Sequence, residues 1–239
     1  MNLSIKTLGN GKPLVFFHGW GFDHSIWLPL AEAIKDKFSV YLVDLPGFGQ
    51  SSTMEWGDFK TMLLDRLPEK FSLVGWSMGG LYATRFALEE SERVSHLINV
   101  ASSPCFLKND DWPGVERRMF ENFYANLVSN PEAAAVEFVN LQLQNQIYQN
   151  TVHFLPSSEA LKNGLKALAE WDLRDLLKHY QKPVSYVFGR LDSITPRATM
   201  LAMKKLFPSF DYALFRRAAH LPFLSHQNEF IEHIERFTA

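Results

Sequence analysis

The sequence contains very little that could cross-link the chain or hold it in a membrane. Cys105 is its single cysteine, so no disulfide can form within the chain. No apolar stretch approaches the ~20 residues that a transmembrane helix needs. The N-terminus has no basic start followed by an apolar run, so we expect no signal peptide. These absences predict a soluble, cytoplasmic protein that has no membrane partner.

The sequence also lacks an excess of charge of either sign. Its 24 lysines and arginines and 26 aspartates and glutamates are interspersed, and the net charge is −2. This balance argues against a nucleic-acid partner. There is no metal-ligand motif and no glycine-rich phosphate loop, so we expect neither a metal nor a cofactor. The 239 residues suffice for one large domain, which we expect to be monomeric.

Short apolar segments, rich in β-branched and aromatic residues, alternate with segments of helical length. This alternation predicts the α/β class, with a mostly parallel central sheet flanked by helices. Sheets of this kind bind ligands at the carboxyl ends of their strands. The predicted strands are Pro13–Phe17, Phe38–Val43, Phe71–Gly75, His96–Val100, Pro183–Phe188 and Asp211–Phe215.

The alternation stops between about Asp111 and Trp171, where only helical periodicity remains. Crossovers between strands are usually far shorter than this segment. We therefore interpret residues 111–171 as a helical cap inserted over the carboxyl edge of the sheet. Residues 1–110 and 172–239 then form the core. The alternative is a long ordinary crossover.

A nucleophile motif follows the third predicted strand. Gly75-Trp76-Ser77-Met78-Gly79 matches G-x-S-x-G, with a strand before it and a predicted helix, Gly79 to Leu88, after it. Such a sharp turn lifts the serine hydroxyl above the sheet. It also points the next backbone N–H, that of Met78, into the same space at a helix N-terminus, where negative charge is favoured. We predict that Ser77 is a catalytic nucleophile.

A second oxyanion donor is expected in the loop after an earlier strand. His18-Gly19-Trp20-Gly21 follows the first predicted strand, and the Trp20 N–H is the candidate. The predicted oxyanion hole therefore consists of the Trp20 and Met78 N–H groups. His18 is interpreted as a structural residue that holds this loop in place.

The catalytic base and acid should follow the last two strands. Among eight histidines, His220 lies in the loop after Asp211–Phe215, and His226 is the alternative six residues further on. His226 and His233 otherwise fit capping or surface positions on the last helix. Asp192 follows the strand before it and is the predicted acid. The order Ser77, Asp192, His220 is typical of α/β hydrolases. Asp44, in a Pro-Gly turn, is interpreted as structural.

Several strings resemble a known family. His18 to Gly21, Asp44 to Ser51 and Gly75 to Gly80 resemble the α/β-hydrolase superfamily over the whole chain. Val100 to Phe106, Asp111 to Gly114 and Ala218 to His226 are similar to the BioH carboxylesterases. That resemblance implies a pimeloyl-acyl carrier protein methyl ester esterase of biotin biosynthesis, which releases pimeloyl-acyl carrier protein and methanol by a Ser-His-Asp acyl-enzyme mechanism.

The same resemblance implies which residues contact the substrate. They are Trp20, Ser77, Met78, Phe138, Val139, Asn140, Leu141, Gln142 and His220. Helical spacing places Val136, Val139, Leu143 and Ile147 on one apolar stripe, and Phe138, Leu141 and Tyr148 on another. A helix apolar on two opposite faces should be covered on both. Either an acyl chain or another cap helix can cover the second face.

The charge of the predicted cap departs from what an acyl carrier protein requires. That carrier is strongly acidic, so its docking surface should be basic. Between Met119 and Leu161 there is no lysine or arginine, and four glutamates give this stretch a charge of −4. A docking patch would therefore lie elsewhere. The candidates are Lys108, Arg117, Arg118, Lys162 and Lys166.

Two other functions are compatible with parts of this pattern. A general short-chain carboxylesterase acting on small-molecule esters, or a C–C bond hydrolase, would share the three predicted catalytic residues. A non-catalytic ligand-binding protein of the same fold often lacks one of them, and here all three are present.

Overall fold

The computed structural model describes residues 1–143 and 156–239, and the strands in these ranges form one seven-stranded sheet. The strand order is β1-β3-β2-β4-β5-β6-β7. β1 pairs antiparallel with β3, and the other neighbouring strands are parallel. The strands are β1 (Ile5–Leu8), β2 (Lys12–Phe17), β3 (Phe38–Val43), β4 (Phe71–Trp76), β5 (Val94–Val100), β6 (Val184–Gly189) and β7 (Asp211–Phe215).

The predicted α/β class and the six predicted strands are confirmed, but β1 was not predicted. Its four residues show only weak alternation between buried and exposed positions, since Lys6 and Thr7 are both exposed. It lies at the edge of the sheet, where one neighbour suffices. β4 and β6 have a neighbouring strand on each side and are buried over their whole length, so they produce the continuous apolar runs that the sequence shows.

Helices cover both faces of the sheet. One buried cluster lies between the sheet and helices α2 and α3. The other lies between the sheet and helices α1, α9 and α10. The helices are α1 (Leu28–Ile34), α2 (Trp56–Arg66), α3 (Met78–Glu89), α4 (Arg117–Ser129), α5 (Pro131–Leu143), α6 (Ser158–Glu170), α7 (Arg174–Leu177), α8 (Arg197–Leu206), α9 (Pro222–Ser225) and α10 (Gln227–Phe237).

Helices α4, α5 and α6 lie between β5 and β6, in the segment predicted to be a cap. Its boundaries, residues 111–171, stay a prediction. Protein covers the two apolar stripes of α5 only in part, because Val136 and Leu141 are 49% and 48% exposed, and coverage of one face by an acyl chain stays a prediction. Ile147 and Tyr148, which complete the predicted stripes, lie outside the described residues. In the described part of the chain no helix has the length and apolarity to cross a bilayer.

Candidate active site

A strained turn between β4 and α3 presents Ser77. β4 ends at Trp76 and α3 begins at Met78, so Ser77 alone makes the turn, with φ of 54° and ψ of −120°. A positive φ is uncommon for a residue with a Cβ. The turn is so tight that a Cβ on Gly75 would lie 2.4 Å from the Gly79 carbonyl oxygen. The flanking glycines are therefore required by the close approach of the backbone.

Asp192 and His220 meet at the carboxyl ends of β6 and β7. His220 Nδ1 lies 2.8 Å from Asp192 Oδ2, and both side chains are fully buried. The other oxygen, Oδ1, accepts the backbone N–H groups of Ile194 at 2.8 Å and Thr195 at 3.0 Å. The Thr195 hydroxyl donates to Oδ2 at 2.5 Å. The carboxylate thus has four donors, which hold it in one orientation.

These contacts keep Asp192 ionised although it is buried. Burial alone favours the neutral acid, but the neighbouring His220 and the hydrogen bonds from His220 and Thr195 outweigh it. The pKa of Asp192 therefore lies below its usual value. An ionised carboxylate can only accept, so the proton of the neutral imidazole is assigned to Nδ1. Nε2 is left as the acceptor.

Nε2 of His220 is buried and has no hydrogen-bond partner among the described residues. The ring lies against Trp76, the residue before Ser77, with ring centroids 5.6 Å apart, and Trp76 Nε1 donates to the His220 carbonyl at 2.9 Å. Ser77 itself is only 4% exposed. A basic nitrogen beside the turn, free to take a proton, suits general-base catalysis.

Two backbone N–H groups are available near Ser77. Within residues 1–143 and 156–239, neither Trp20 nor Met78 donates its N–H to a backbone carbonyl. The Trp20 side chain is fully buried, and its indole Nε1 donates to the Leu161 carbonyl at 2.9 Å. The loop that carries the first N–H is thereby tied to α6. Their role as an oxyanion hole stays a prediction.

His18 holds the loop that contains Trp20. Its Nδ1 lies 2.8 Å from the Gly19 carbonyl, and its Nε2 accepts the Leu45 N–H at 3.0 Å. The ring must therefore be neutral, with its proton on Nδ1. Burial lowers the pKa of His18, with partial opposition from Asp44. His18 is a structural residue, as the sequence predicts.

This neutral, buried ring should make stability depend on pH. The unfolded chain protonates His18 near its usual pKa of about 6.5, and the folded chain does so only at lower pH. Below about pH 6.5 the unfolded state therefore binds more protons, and the free energy of unfolding falls as pH falls. His18 contributes at most one proton, or about 1.4 kcal/mol per pH unit. Above about pH 6.5, His18 should not contribute to the pH dependence of the free energy of unfolding.

We expect His18→Asn to lower stability at pH 7 and to flatten this loss between about pH 6.5 and 5. Urea unfolding at several pH values measures it. Burial also lowers the pKa values of His96 and His233, so part of the slope should remain. His179→Asn is the control, because His179 is exposed. Equal slopes for wild type and His18→Asn would contradict the proposed neutral state.

Asp44 forms a second buried unit beside this loop. Its Oδ1 accepts from the backbone N–H and Nδ1 of His24, each at 2.8 Å, and its Oδ2 accepts the Gln50 N–H at 3.0 Å. Burial opposes ionisation, but these bonds lower the pKa of Asp44 to about 2. With Asp23 the pair forms a group of possible metal ligands. Both Asp44 oxygens are already engaged, so we interpret the group as structural.

The five residues of α5 predicted to contact substrate differ in position. The Phe138 ring packs edge-on against Trp20 at 5.2 Å, and Val139 faces Gly21. Gln142 is fully buried, and its Nε2 donates to the Trp20 carbonyl at 3.2 Å. Its Oε1 has no partner in the described part of the chain.

The other two, Asn140 and Leu141, are exposed. Their contact with substrate stays a prediction, as does that of the three inward-facing residues.

Helix α6 lies directly on the two candidate N–H residues. A Cβ on Gly164 would come within 2.7 Å of Trp20 Cδ1 and 2.9 Å of Met78 Sδ. Only a glycine allows this approach without a shift of the Trp20 ring. α6 therefore forms part of the wall around Ser77.

Several residues that support the site cannot be recognised from the sequence alone, or only in part. The sequence predicts no role for Thr195, although the carboxylate of an aspartate in a loop, such as Asp192, commonly accepts the backbone N–H groups that follow it. The contact from Gln142 to Trp20 has no local signal. The interpretation of His233 as a capping or surface residue is wrong. It is 3% exposed and lies 2.8 Å from Ser185 Oγ, because α10 turns that face onto the sheet.

Residues 14–233 match the alpha/beta hydrolase family. The chain therefore belongs to the alpha/beta hydrolase family, as the topology and the turn at Ser77 indicate.

Two relatives narrow this class. The chain is 51% identical over 237 residues to the "Pimeloyl-[acyl-carrier protein] methyl ester esterase" of Legionella pneumophila strain Corby, with 99% of each chain covered. It is 37% identical over 252 residues to the protein of the same name from Aeromonas hydrophila, again with 99% of each covered. This similarity groups the chain with the family of these methyl ester esterases.

Solved structures agree on the fold. An esterase from Exiguobacterium antarcticum superposes with a TM-score of 0.88 at 20% identity, covering 98% of this chain and 94% of that one. A bromoperoxidase from Bacillus anthracis gives 0.87 at 23% identity, covering 99% and 95%. Their activities differ while the fold is shared, so these likenesses support the fold alone.

Proposed function

We propose that the protein is a carboxylesterase that hydrolyses the methyl ester of pimeloyl-acyl carrier protein to pimeloyl-acyl carrier protein and methanol, in biotin biosynthesis. The observation that supports the chemistry is the position of the buried His220. Its Nδ1 contacts Asp192, and its Nε2, which has no hydrogen-bond partner among the described residues, lies beside the turn of Ser77. The full-length similarity to named methyl ester esterases supports the substrate.

In the proposed mechanism, Ser77 Oγ attacks the ester carbonyl carbon while His220 Nε2 takes its proton. The Trp20 and Met78 N–H groups stabilise the resulting oxyanion. As the tetrahedral intermediate collapses, the C–O bond to methanol breaks and His220 returns the proton to the leaving oxygen. Water, deprotonated by His220, then attacks the acyl-enzyme. The bond from the acyl carbon to Ser77 Oγ breaks, His220 returns the proton to Oγ, and the free acid leaves and ionises to the carboxylate. Asp192 keeps the imidazole oriented throughout.

Helices α4, α5 and α6 are proposed to form the cap over this site, within residues 111–171 of the predicted domain division. Phe123 and Phe138 pack against the Trp20 ring from α4 and α5, and α6 contacts it through Gly164. The acyl chain is proposed to pass between these helices and Ser77. Gln142 Oε1, which has no hydrogen-bond partner among the described residues, is proposed to accept a hydrogen bond from the substrate.

A substrate panel tests the function. Methyl esters of dicarboxylates of increasing length are compared, both free and attached to acyl carrier protein, with Ser77→Ala as the blank. We expect the highest kcat/KM for the carrier-bound pimeloyl ester. Equal turnover of short free esters, with no gain from the carrier, would instead support a general short-chain carboxylesterase.

Carrier docking is proposed to use the first turn of α4. Arg117 and Arg118 are exposed there, no acidic residue lies in that turn, and neither has an ion-pair partner in the described ranges. Glu116, just before them, pairs with Lys108 instead. Two cations at the positive end of a helix dipole raise the local potential, which suits an acidic partner. Lys162 and Lys166 add charge on α6.

Reversing these two charges should weaken docking and spare the chemistry. For Arg117→Glu with Arg118→Glu, we expect kcat/KM on carrier-bound ester to fall about tenfold or more at low salt. The difference should shrink as salt screens the charges. Turnover of a small free methyl ester should hardly change. Folding should not suffer, because glutamate is favoured at a helix N-terminus.

The control reverses Lys70 and Lys182, which lie at the amino ends of β4 and β6, opposite the carboxyl ends that carry the site; Lys182 forms an ion pair with the exposed Glu92. It changes the net charge by the same amount, and it should leave kcat/KM unchanged for both the carrier-bound and the free ester. If the control is as slow as the Arg117/Arg118 variant, net charge alone is responsible. If neither variant responds, the carrier docks elsewhere. The cytoplasmic location and the monomeric state stay predictions.

A further inference from the structure

A buried hydroxyl reaches the back of the peptide group that carries the Met78 N–H. The Ser102 Oγ donates to the Ser77 carbonyl oxygen at 2.7 Å, and Ser102 is 1% exposed. The Ser77 carbonyl and the Met78 N–H belong to one planar peptide group and point in opposite directions. A hydrogen bond at the carbonyl end therefore limits rotation of the N–H end.

The residue before Ser102 has a strained backbone conformation, which directs Ser102 toward the Ser77 carbonyl. Ala101 has a φ of 46°, and within the described ranges it shares a positive φ, among residues other than glycine, only with Ser77. The left-handed region is unfavourable for a residue with a Cβ. The Ala101 N–H is nevertheless fixed on the Val187 carbonyl at 2.8 Å. Strain of this kind persists where surrounding contacts determine the conformation, and it is frequent at functional sites.

Helix α3 also packs closely against this hydroxyl. A Cβ on Gly80 would lie 2.5 Å from both Cβ and Oγ of Ser102. The Ser77 carbonyl additionally accepts the N–H groups of Gly80 at 3.0 Å and Leu81 at 3.3 Å. The hydroxyl bond is the shortest of the three, and it comes from outside the turn and its helix.

We propose that Ser102 is a positioning residue for the oxyanion hole, acting through the Ser77 carbonyl on the Met78 N–H. The bond holds the peptide plane at one rotation and polarises it, since hydrogen bonds in a chain strengthen one another. A preorganised donor stabilises the developing oxyanion without reorganisation at the moment of reaction. The role of Ser102 depends on the proposed role of the Met78 N–H.

The test compares Ser102→Ala with Ser103→Ala in the full-length protein, using p-nitrophenyl butyrate. Ser103 is a matched control because it is 3% exposed and its Oγ also donates to a backbone carbonyl, that of Cys105 at 2.5 Å. For Ser102→Ala we expect kcat to fall about tenfold with KM nearly unchanged, because the ground-state ester does not carry the oxyanion charge. The loss of kcat should not be larger, because the Ser77 carbonyl still accepts the N–H groups of Gly80 and Leu81, which hold the peptide group in part.

Two further readouts separate positioning from a general loss of stability. The pH profile of kcat should keep its shape in Ser102→Ala, since the contact between His220 and Asp192 is untouched. The Met78 amide resonance, observed after 15N-methionine labelling, should shift in Ser102→Ala and remain in place in Ser103→Ala. If Ser102→Ala does not fold, Ser102→Cys preserves the packing with a weak donor, and kcat should then fall several-fold.

A kcat for Ser102→Ala within about twofold of wild type, or an equal loss in Ser103→Ala, would overturn the proposal. An unmoved Met78 resonance would do so as well. A wild-type protein that turns over no ester would refute the proposed function instead, so the two failures are distinguishable.

Discussion

Ser77→Ala is expected to lower ester turnover by about 10⁴ or more and to leave the fold intact. The hydroxyl oxygen is the proposed nucleophile, and no other hydroxyl is placed on the strained turn between β4 and α3 in the described residues. His220→Ala should cause a loss of similar size, since without a base the Ser77 hydroxyl is a weak nucleophile. Hydrolysis of a chromogenic ester measures both.

The double variant distinguishes cooperation from independent effects. Ser77 and His220 act in one proton transfer, so removing both should cost little more than removing either one. Nearly additive losses would mean that the two residues do not act together. Circular dichroism melts serve as the control for folding. Turnover that survives in Ser77→Ala would rule out the mechanism.

Asp192→Asn is expected to lower kcat by a comparable factor, about 10⁴, while barely changing the shape of the site, because the carboxylate of a Ser-His-Asp triad fixes the tautomer of the base. The surrounding donors decide how the new amide must lie. Oδ1 of Asp192 accepts the N–H groups of Ile194 and Thr195, so the carbonyl oxygen of asparagine has to remain there. Its NH₂ group is then forced toward His220.

That orientation imposes the wrong tautomer on the imidazole. An NH₂ group donates, so His220 Nδ1 has to accept, and the ring proton moves to Nε2. A protonated Nε2 cannot take the Ser77 proton. The imidazole 15N shifts of His220 should show this exchange of roles alongside the loss of kcat. A variant that loses activity with Nδ1 still protonated would refute the tautomer argument.

Thr195→Val is the matched control for this prediction. It removes the hydroxyl that donates to Asp192 Oδ2 at 2.5 Å but retains the carboxylate, both N–H donors and the contact with His220. The tautomer should be preserved, and kcat should fall by no more than about tenfold. A loss as large as that of Asp192→Asn would show that the number of donors, and not the tautomer, limits the reaction.

The amino-acid sequence by itself determined the α/β class, the six strands β2 to β7 and the segments that carry Ser77, Asp192 and His220. These features are local. A strand buried on both sheet faces is a continuous apolar run, and a turn as tight as that at Ser77 needs glycines at Gly75 and Gly79. β1 was missed because a short edge strand with two exposed residues has almost no apolar pattern.

Only the tertiary structure decided which distant groups support the site. Ser102 reaches the Ser77 carbonyl, Gln142 reaches the Trp20 carbonyl, and Gly164 lets α6 approach the Trp20 ring. Each contact joins segments far apart in the chain, so no spacing rule reveals it. The burial of His233 was decided in the same way, by the face that α10 turns toward β6. A strand or helix can be recognised from the periodicity of its own residues. The partners of its side chains depend on how the elements pack against one another.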